Sequence, residues 1–399
     1  MKRLPTILFT SLLISLLCAG SRSGYAGEAR GVTDDTIKIG IIMDQTGVAS
    51  SETIPVTIGA RTYLQNISDQ GGINGRKVKF IVEDDRYTIP GAFACFKKLI
   101  FRNKVLSILI CGGTGQTLAL VNQIEKHKVP IMGGLAETLT TPVRRYIFTP
   151  AASYEDGVKV CVDYIMKDLK AKNPKIVCVY PDIEYGKACL RVTKEHLKKY
   201  NLELSATSII NLGDVDTTSQ VLVLKSSDPD YIILHTFSGG LISFYRAAKI
   251  HGLRSKIIGS SYLSNEDYIK ATGDGMKDTL VVSAFGHWSE NTPGMAKLRR
   301  VTTKYGAKRM AESKNYTLGW LASMTCAEGL KRAGRNLNPD TLVEAYETFK
   351  NFSTGGISGT VSYSKNNHKG GTESKMYKAD VKNQTFIPIT GFREPAFKD

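Results

Sequence analysis

The sequence lacks the short signatures of the commoner metal and nucleotide chemistries. None of its cysteines are spaced CxxC, and its six histidines form no HExxH or HxxxH pair, so the ligand spacings of a zinc site are missing. No GxxxxGK(S/T) phosphate loop occurs. Gly113-Thr114-Gly115-Gln116-Thr117-Leu118 begins like a dinucleotide fingerprint but has Leu118 where the third glycine belongs. GxSxG is also absent, and Gly356-Ile357-Ser358-Gly359 falls between a helix and a hairpin rather than at a strand-to-helix elbow. After residue 26 no stretch approaches the roughly 18 consecutive apolar residues that a membrane-crossing helix needs. Acidic residues are the scarcer charge, 37 against 53 basic ones in 399, for a formal net charge of +16. The excess is spread along Lys-rich faces such as 194–199, with no interleaved aromatics and no nucleic-acid motif. It therefore reads as a solvated basic surface, not as a nucleic-acid face.

The N-terminus has a secretory layout: Lys2 and Arg3, an apolar run over 4–17, then small and polar residues to Gly27. Gly24-Tyr25-Ala26 places the expected cleavage after Ala26, giving a mature protein outside the cytoplasm, in the periplasm or extracellular space. Lipid anchoring at Cys18 is the rival, but Leu16 and Leu17 stand where a small residue is wanted. Six cysteines remain after that cleavage. Cys178 falls mid-strand and Cys326 mid-helix, positions of small buried thiols. Cys95 and Cys111 are the pair expected to bridge, since a helix and the following strand could bring them together.

The length exceeds what one core usually fills, so two domains are expected. Residues 37–43 alternate and then run apolar, ending in a Gly-containing loop. Helical spacing follows over 58–67, a Gly-rich turn over 71–75 and a strand over 77–83. The pattern repeats as a helix over 91–101, a strand over 105–110, a helix over 118–126 and a strand over 129–132. A second cycle reads as a helix over 157–169, a strand over 175–180, a helix over 187–200, a strand over 204–210, a helix over 218–226, a strand over 231–235, a helix over 241–251 and a strand over 256–258. Such alternation predicts an α/β protein with two doubly wound parallel sheets. Helices over 316–332 and 339–349 and an alternating, hairpin-like segment over 359–387 come after the second sheet is finished. The economical solution is that the chain crosses back, so that each lobe is built from separate segments joined by a hinge. In wound sheets ligands bind beyond the carboxyl ends of the strands. This directs attention to the loops over 44–53, 111–117, 133–141, 181–186, 236–240 and 260–265, which are rich in Gly, Ser and Thr.

The order and spacing of 36–47, DQGGINGRKVKFIVEDD at 69–85, 104–132, 180–186, FYRAAKIHGL at 244–253 and 359–377, with His368 and Gly370-Gly371, resemble the branched-chain amino-acid binding family. These are the type I periplasmic binding proteins of ABC importers. The resemblance implies two α/β lobes joined by three crossovers, 27–149 with 286–358 and 150–285 with 359–399. It further implies a clamshell that closes on a small amino acid, carboxylate or amide and delivers it to a membrane permease, with no cofactor, no metal and no catalytic residue. Carried over by position, Thr114 on the 112–117 loop grips the ligand carboxylate. Ala136 and Thr138 offer a second contact from that lobe, Tyr185 and Phe237 contribute aromatic contacts from the other, and Tyr316 forms an apolar wall. Ser261 and Tyr262 occupy the loop where the family places the carboxylate that pairs with a ligand ammonium. Since Ser261-Tyr262 provides none, either Glu137, Asp182 or Glu52 substitutes, or the ligand is not an α-amino acid. A ligand sensor docking on a membrane receptor fits the same pattern, and a secreted α/β enzyme is the more distant alternative.

Overall fold

The computed structural model describes residues 29–308 and 312–397; the expected leader, with Cys18 and Ala26, lies outside the described residues. Strand β1 (Thr36–Ile42) alternates so that Ile37, Ile39 and Ile41 are buried. It pairs in parallel with β2 (Lys77–Glu83) on one side and β3 (Ser107–Cys111) on the other. With β4 (Ile131–Met132) and β5 (Ile147–Phe148) they form a parallel sheet ordered β2-β1-β3-β4-β5. Helices α1 (Ser50–Asp69), α2 (Ile89–Lys97) and α3 (Thr114–Lys126) make the connections. Thr88 accepts from the Gly91 N–H and Pro90 occupies the first turn, which fixes where α2 begins.

After β5 the chain enters a second sheet through α4 (Tyr154–Asp163), started by a capping box between Ser153 and Asp156. Then come β6 (Ile176–Tyr180), α5 (Glu184–Lys198), β7 (Ala206–Ile209), α6 (Thr218–Ser227), β8 (Tyr231–Leu234), α7 (Ser238–Ile250), β9 (Lys256–Gly259), α8 (Glu266–Thr272) and β10 (Leu280–Ser283). The chain returns to the first sheet as α9 (Pro293–Lys304), α10 (Lys314–Ala333) and α11 (Pro339–Glu347); α9 and α10 pack on α1, and α10 also on β3 and β4. It finally crosses to the second sheet as β11 (Lys375–Asp380) and β12 (Thr385–Pro388), an antiparallel extension of β10. The resulting order is β12-β11-β10-β9-β8-β6-β7.

The chain thus passes between the sheets three times, and the crossing segments bond to one another. Thr149 N donates to His368 O at 3.0 Å, Gly370 N to Thr149 O at 2.9 Å and Gly286 N to Ile357 O at 2.7 Å.

Two helices, α8 and α9, were not apparent in the residue pattern. The start of α9 does carry a signal, since Thr292 accepts from Met295 N and is followed by Pro293. The expected Cys95–Cys111 bridge is corrected by the structure: all six cysteines of the described residues are free and buried. The Cys95 thiol is directed at the end of β2, donating to Asp84 O at 3.3 Å, while Cys111 is the buried last residue of β3. Burial pushes the Cys95 thiol up to about 11.

The tightest element contact is α1 against α10, where two glycines face backbone. A Cβ on Gly59 would stand 2.1 Å from Tyr316 O, and one on Gly319 would stand 1.9 Å from Val56 O. Beside them Tyr63 meets Trp320 edge-on at 4.9 Å. Gly319→Val should therefore cost about 3 kcal/mol or more. Gly213→Ala, with nothing within 4 Å of the added atom, should stay below about 1 kcal/mol. Urea unfolding midpoints of the two variants, read at constant slope, check the difference.

Candidate functional site

In both sheets the strand order reverses once, between β1 and β3 in the first and between β6 and β8 in the second. Such switch points leave a crevice at the carboxyl ends of the strands. Here the loops from both crevices meet at a partly open cavity of about 50 Å³, with Asp44, Thr114, Leu318 and Glu52 on the first-sheet side and Tyr154, Tyr185 and Tyr262 on the second.

The floor on the first side comes from the loop between β3 and α3. Gly112 adopts φ +72°, and a Cβ there would stand 2.7 Å from Asp85 Oδ2 and 2.9 Å from Gln116 Cβ, so the turn requires glycine. Thr117 ties the turn down by donating to Cys111 O at 2.7 Å. The first turn of α3 has no side-chain cap, and Gly113 and Thr114 face the cavity. The orphan N–H groups of such a turn and the helix dipole favour a negative group.

The opposite wall is aromatic. Tyr154 meets Tyr185 edge-on at 4.9 Å and stacks on Tyr262 at 5.5 Å, and its hydroxyl is 3.0 Å from that of Tyr262. The Tyr185 hydroxyl bonds Ser260 Oγ at 2.7 Å. Burial pushes all three phenols upward. With their polar ends engaged, the tyrosines present ring surface to the cavity.

Between the walls lies a buried charge cluster. Glu52 of α1 accepts from Asn265 Nδ2 at 3.2 Å, from the Tyr268 hydroxyl and from Asn315 Nδ2. Lys314 donates to Ser261 O and, at 3.1 Å, to Ser261 Oγ, and its ammonium stands 5.1 Å from the centre of the Tyr262 ring. Burial pushes the Glu52 carboxyl above its usual range and the Lys314 ammonium down to about 7, while each charge partly restores the other. Donors from α8 and acceptors from the 260–264 loop thus bind side chains from α1 and α10 across the seam.

Thr114, Tyr185 and Tyr262 line the cavity. Phe237 lies one layer behind, stacked on Tyr262 at 4.3 Å, and Ser261 is engaged by Lys314. Ala136 is buried next to the lining residue Leu135. Thr138 instead faces a separate cleft with Glu137, Glu155 and Lys159. Tyr316 is not among the lining residues: α10 starts at Lys314, which turns the Tyr316 hydroxyl toward α9, 2.8 Å from Thr302 Oγ1. The wall expected from it is formed by Asn315 and Leu318. Of the three substitute acids, only Glu52 reaches the cavity. Glu137 pairs with Lys369 at 3.0 Å in the side cleft, and Asp182 pairs with Lys187 on the surface. Tyr87, Tyr154 and Asn315 were missed; each sits just past a strand end or at a helix start, where apolar periodicity carries no signal.

A family model described as periplasmic binding protein matches residues 36–385, and the chain belongs to that family. A Leu/Ile/Val-binding protein homolog of Brucella melitensis is 22% identical over 92% of this chain and 97% of its own. A branched-chain amino acid ABC transporter protein from Thermus thermophilus, solved with bound valine, superposes with a TM-score of 0.85 at 22% identity, covering 92% of this chain and 98% of its own. A fatty acid ABC transporter substrate-binding protein from Thermomonospora curvata gives a TM-score of 0.83 at 23% identity over 93% and 95% of the two chains. These likenesses confirm the type I periplasmic-binding-protein fold.

Next to the first crossover, Glu155 of α4 accepts from Glu137 N at 2.9 Å, and its Oε1 is buried without a hydrogen-bond partner. Burial, reinforced by Glu137 and Asp156, pushes its carboxyl up to about 7. A folded-state value above the unfolded one means that the folded protein holds the proton more tightly. The stabilisation from the protonated form is complete below about pH 4.5 and is lost as pH rises through about 7. Glu155→Gln should thus match the parent at pH 4.5 and exceed it by on the order of 2 to 3 kcal/mol at pH 8, as read from denaturant unfolding at the two pH values.

Proposed function

We propose that the protein is the extracytoplasmic capture component of an ABC importer: it closes two lobes, 27–149 with 286–358 and 150–285 with 359–399, over a small solute and delivers it to a membrane permease. The observation that carries this reading is the cavity lined jointly by loops from the switch points of both sheets. A solute held there touches both lobes only when they are together, so its binding energy favours the closed arrangement, and no covalent step is required. The mutually bonded crossing segments supply the hinge.

The solute class follows from the walls. Donors at the start of α3 suit a carboxylate or another polar acceptor, and the tyrosine wall with Val56, Leu139 and Leu318 suits an apolar body. Valine and fatty acids, named for two proteins of similar fold, share that division into anionic head and apolar remainder.

Thermal-shift screening against amino acids, short carboxylates and amides should identify a stabilising solute. X-ray scattering with that solute should give a smaller radius of gyration than without it, and Tyr185→Ala should weaken its binding about tenfold or more while leaving the fold intact. Scattering that no stabilising solute alters would remove the clamshell from consideration.

A further inference from the structure

We infer that Tyr87 is a specificity-determining residue of the cavity: its hydroxyl is held unspent beside the start of α3, where it bonds a carbonyl or carboxylate oxygen of the solute. The inference rests on the capture reading above and adds to it a contact from the first-sheet side.

Four tyrosines line the cavity, at 87, 154, 185 and 262. The hydroxyls of Tyr154 and Tyr262 bond one another, and that of Tyr185 bonds Ser260. Tyr87 differs. Its backbone N–H donates to Asp85 Oδ1 at 3.1 Å, but its hydroxyl has no hydrogen-bond partner among the described residues. Burial pushes the phenol upward, with Tyr262, Asp85 and Asp44 adding to the effect, so it keeps its proton at neutral pH and remains a donor. A hydroxyl withdrawn from bulk water without a partner is costly. One that faces a cavity is satisfied by whatever fills it.

The backbone holds this side chain in place against its own preference. Arg86 and Tyr87 are consecutive non-glycine residues in the left-handed region, at φ +52° and +57°, a conformation that a side chain with a Cβ disfavours. Neighbouring groups over-determine it. Asp84 Oδ1 accepts from Gln45 N and Arg86 N, both at 2.9 Å, and its Oδ2 accepts from the Thr46 hydroxyl at 2.7 Å, which ties the bend to the turn leading into α1. Glycine at 87 would relieve the strain and lose the ring. Strain retained at a residue that lines a cavity points to a function for its side chain.

The hydroxyl lies against the start of α3. A Cβ on Gly113 would stand 3.0 Å from Tyr87 Cε2 and 3.0 Å from its hydroxyl oxygen, and Gly113 immediately precedes the uncapped first turn of that helix. The phenolic O–H and the orphan N–H groups of the turn are therefore neighbours on one side of the cavity. A carbonyl or carboxylate oxygen, with two lone pairs, can accept from both at once. Tyr87, Thr114 and Tyr185 also line an outer cleft of about 290 Å³ in the same seam, so this contact sits at the margin where the cavity continues outward.

Tyr87→Phe removes the hydroxyl and keeps the ring. Without any solute it should melt within about 2 °C of the parent, because an unspent hydroxyl contributes no bond to the fold; a larger fall shows that the hydroxyl serves the protein itself and overturns the inference. Calorimetry at pH 7 with valine, leucine, isobutyrate and isobutyramide, each of which carries a carbonyl oxygen, gives the second reading. Every probe that the parent binds should bind Tyr87→Phe about tenfold more weakly. Equal affinity in parent and Tyr87→Phe overturns the inference and leaves two-lobe capture standing. Loss of affinity in Tyr87→Ala alone reduces Tyr87 to a wall and overturns it likewise. Silence of the parent toward all four probes also overturns it, and the broader thermal-shift screen then decides on capture by itself.

Discussion

Taking a carboxylate out of water costs several kcal/mol unless donors replace its hydration, and the seam of this protein is organised around that requirement at Glu52. The acid projects from α1 and collects donors from α8 and α10. Each donor is itself fixed: Asn265 caps α8 through its carbonyl oxygen, and the Tyr268 hydroxyl accepts from Ser238 N at 2.6 Å. Lys314 supplies the opposite charge and spends its protons on the 260–264 loop. The seam therefore joins by satisfying charges, and its neighbouring tyrosines are free to contribute shape.

The alternation of strands and helices was legible because the central parallel strands β3, β6 and β8, covered on both faces, read as short apolar runs. The late crossing back was legible by bookkeeping of segments: helices after a finished sheet had to lie elsewhere, and α10 does lie on α1. What the pattern missed has local causes. Helix α8 is a seven-residue element with charged residues in its first turn, too short to show periodicity. Cys95 and Cys111 are near one another along the chain, but sequence proximity says nothing about the direction of a thiol, and one is aimed at β2 while the other is embedded in β3.

The site divides similarly. Thr114, Tyr185 and Tyr262 follow strand ends at or next to switch points, so topology alone directs attention to them. Tyr316 was misplaced because a shift of two residues at a helix start rotates a side chain by more than half a turn. Lys314 had no signature at all, since a lysine at a helix start reads as solvent-facing until tertiary packing encloses it. A charge that the fold has been forced to bury was therefore among the least visible features of the sequence.

The three passages between the sheets have a consequence for how such a protein can arise and be engineered. Because α9 to α11, which return to the first sheet, are encoded between β10 and β11 of the second, no single cut in the gene releases a lobe with its own covering layer. The halves must be inherited, synthesised and matured as one unit, and new specificity has to be introduced by altering loops in place instead of exchanging a module.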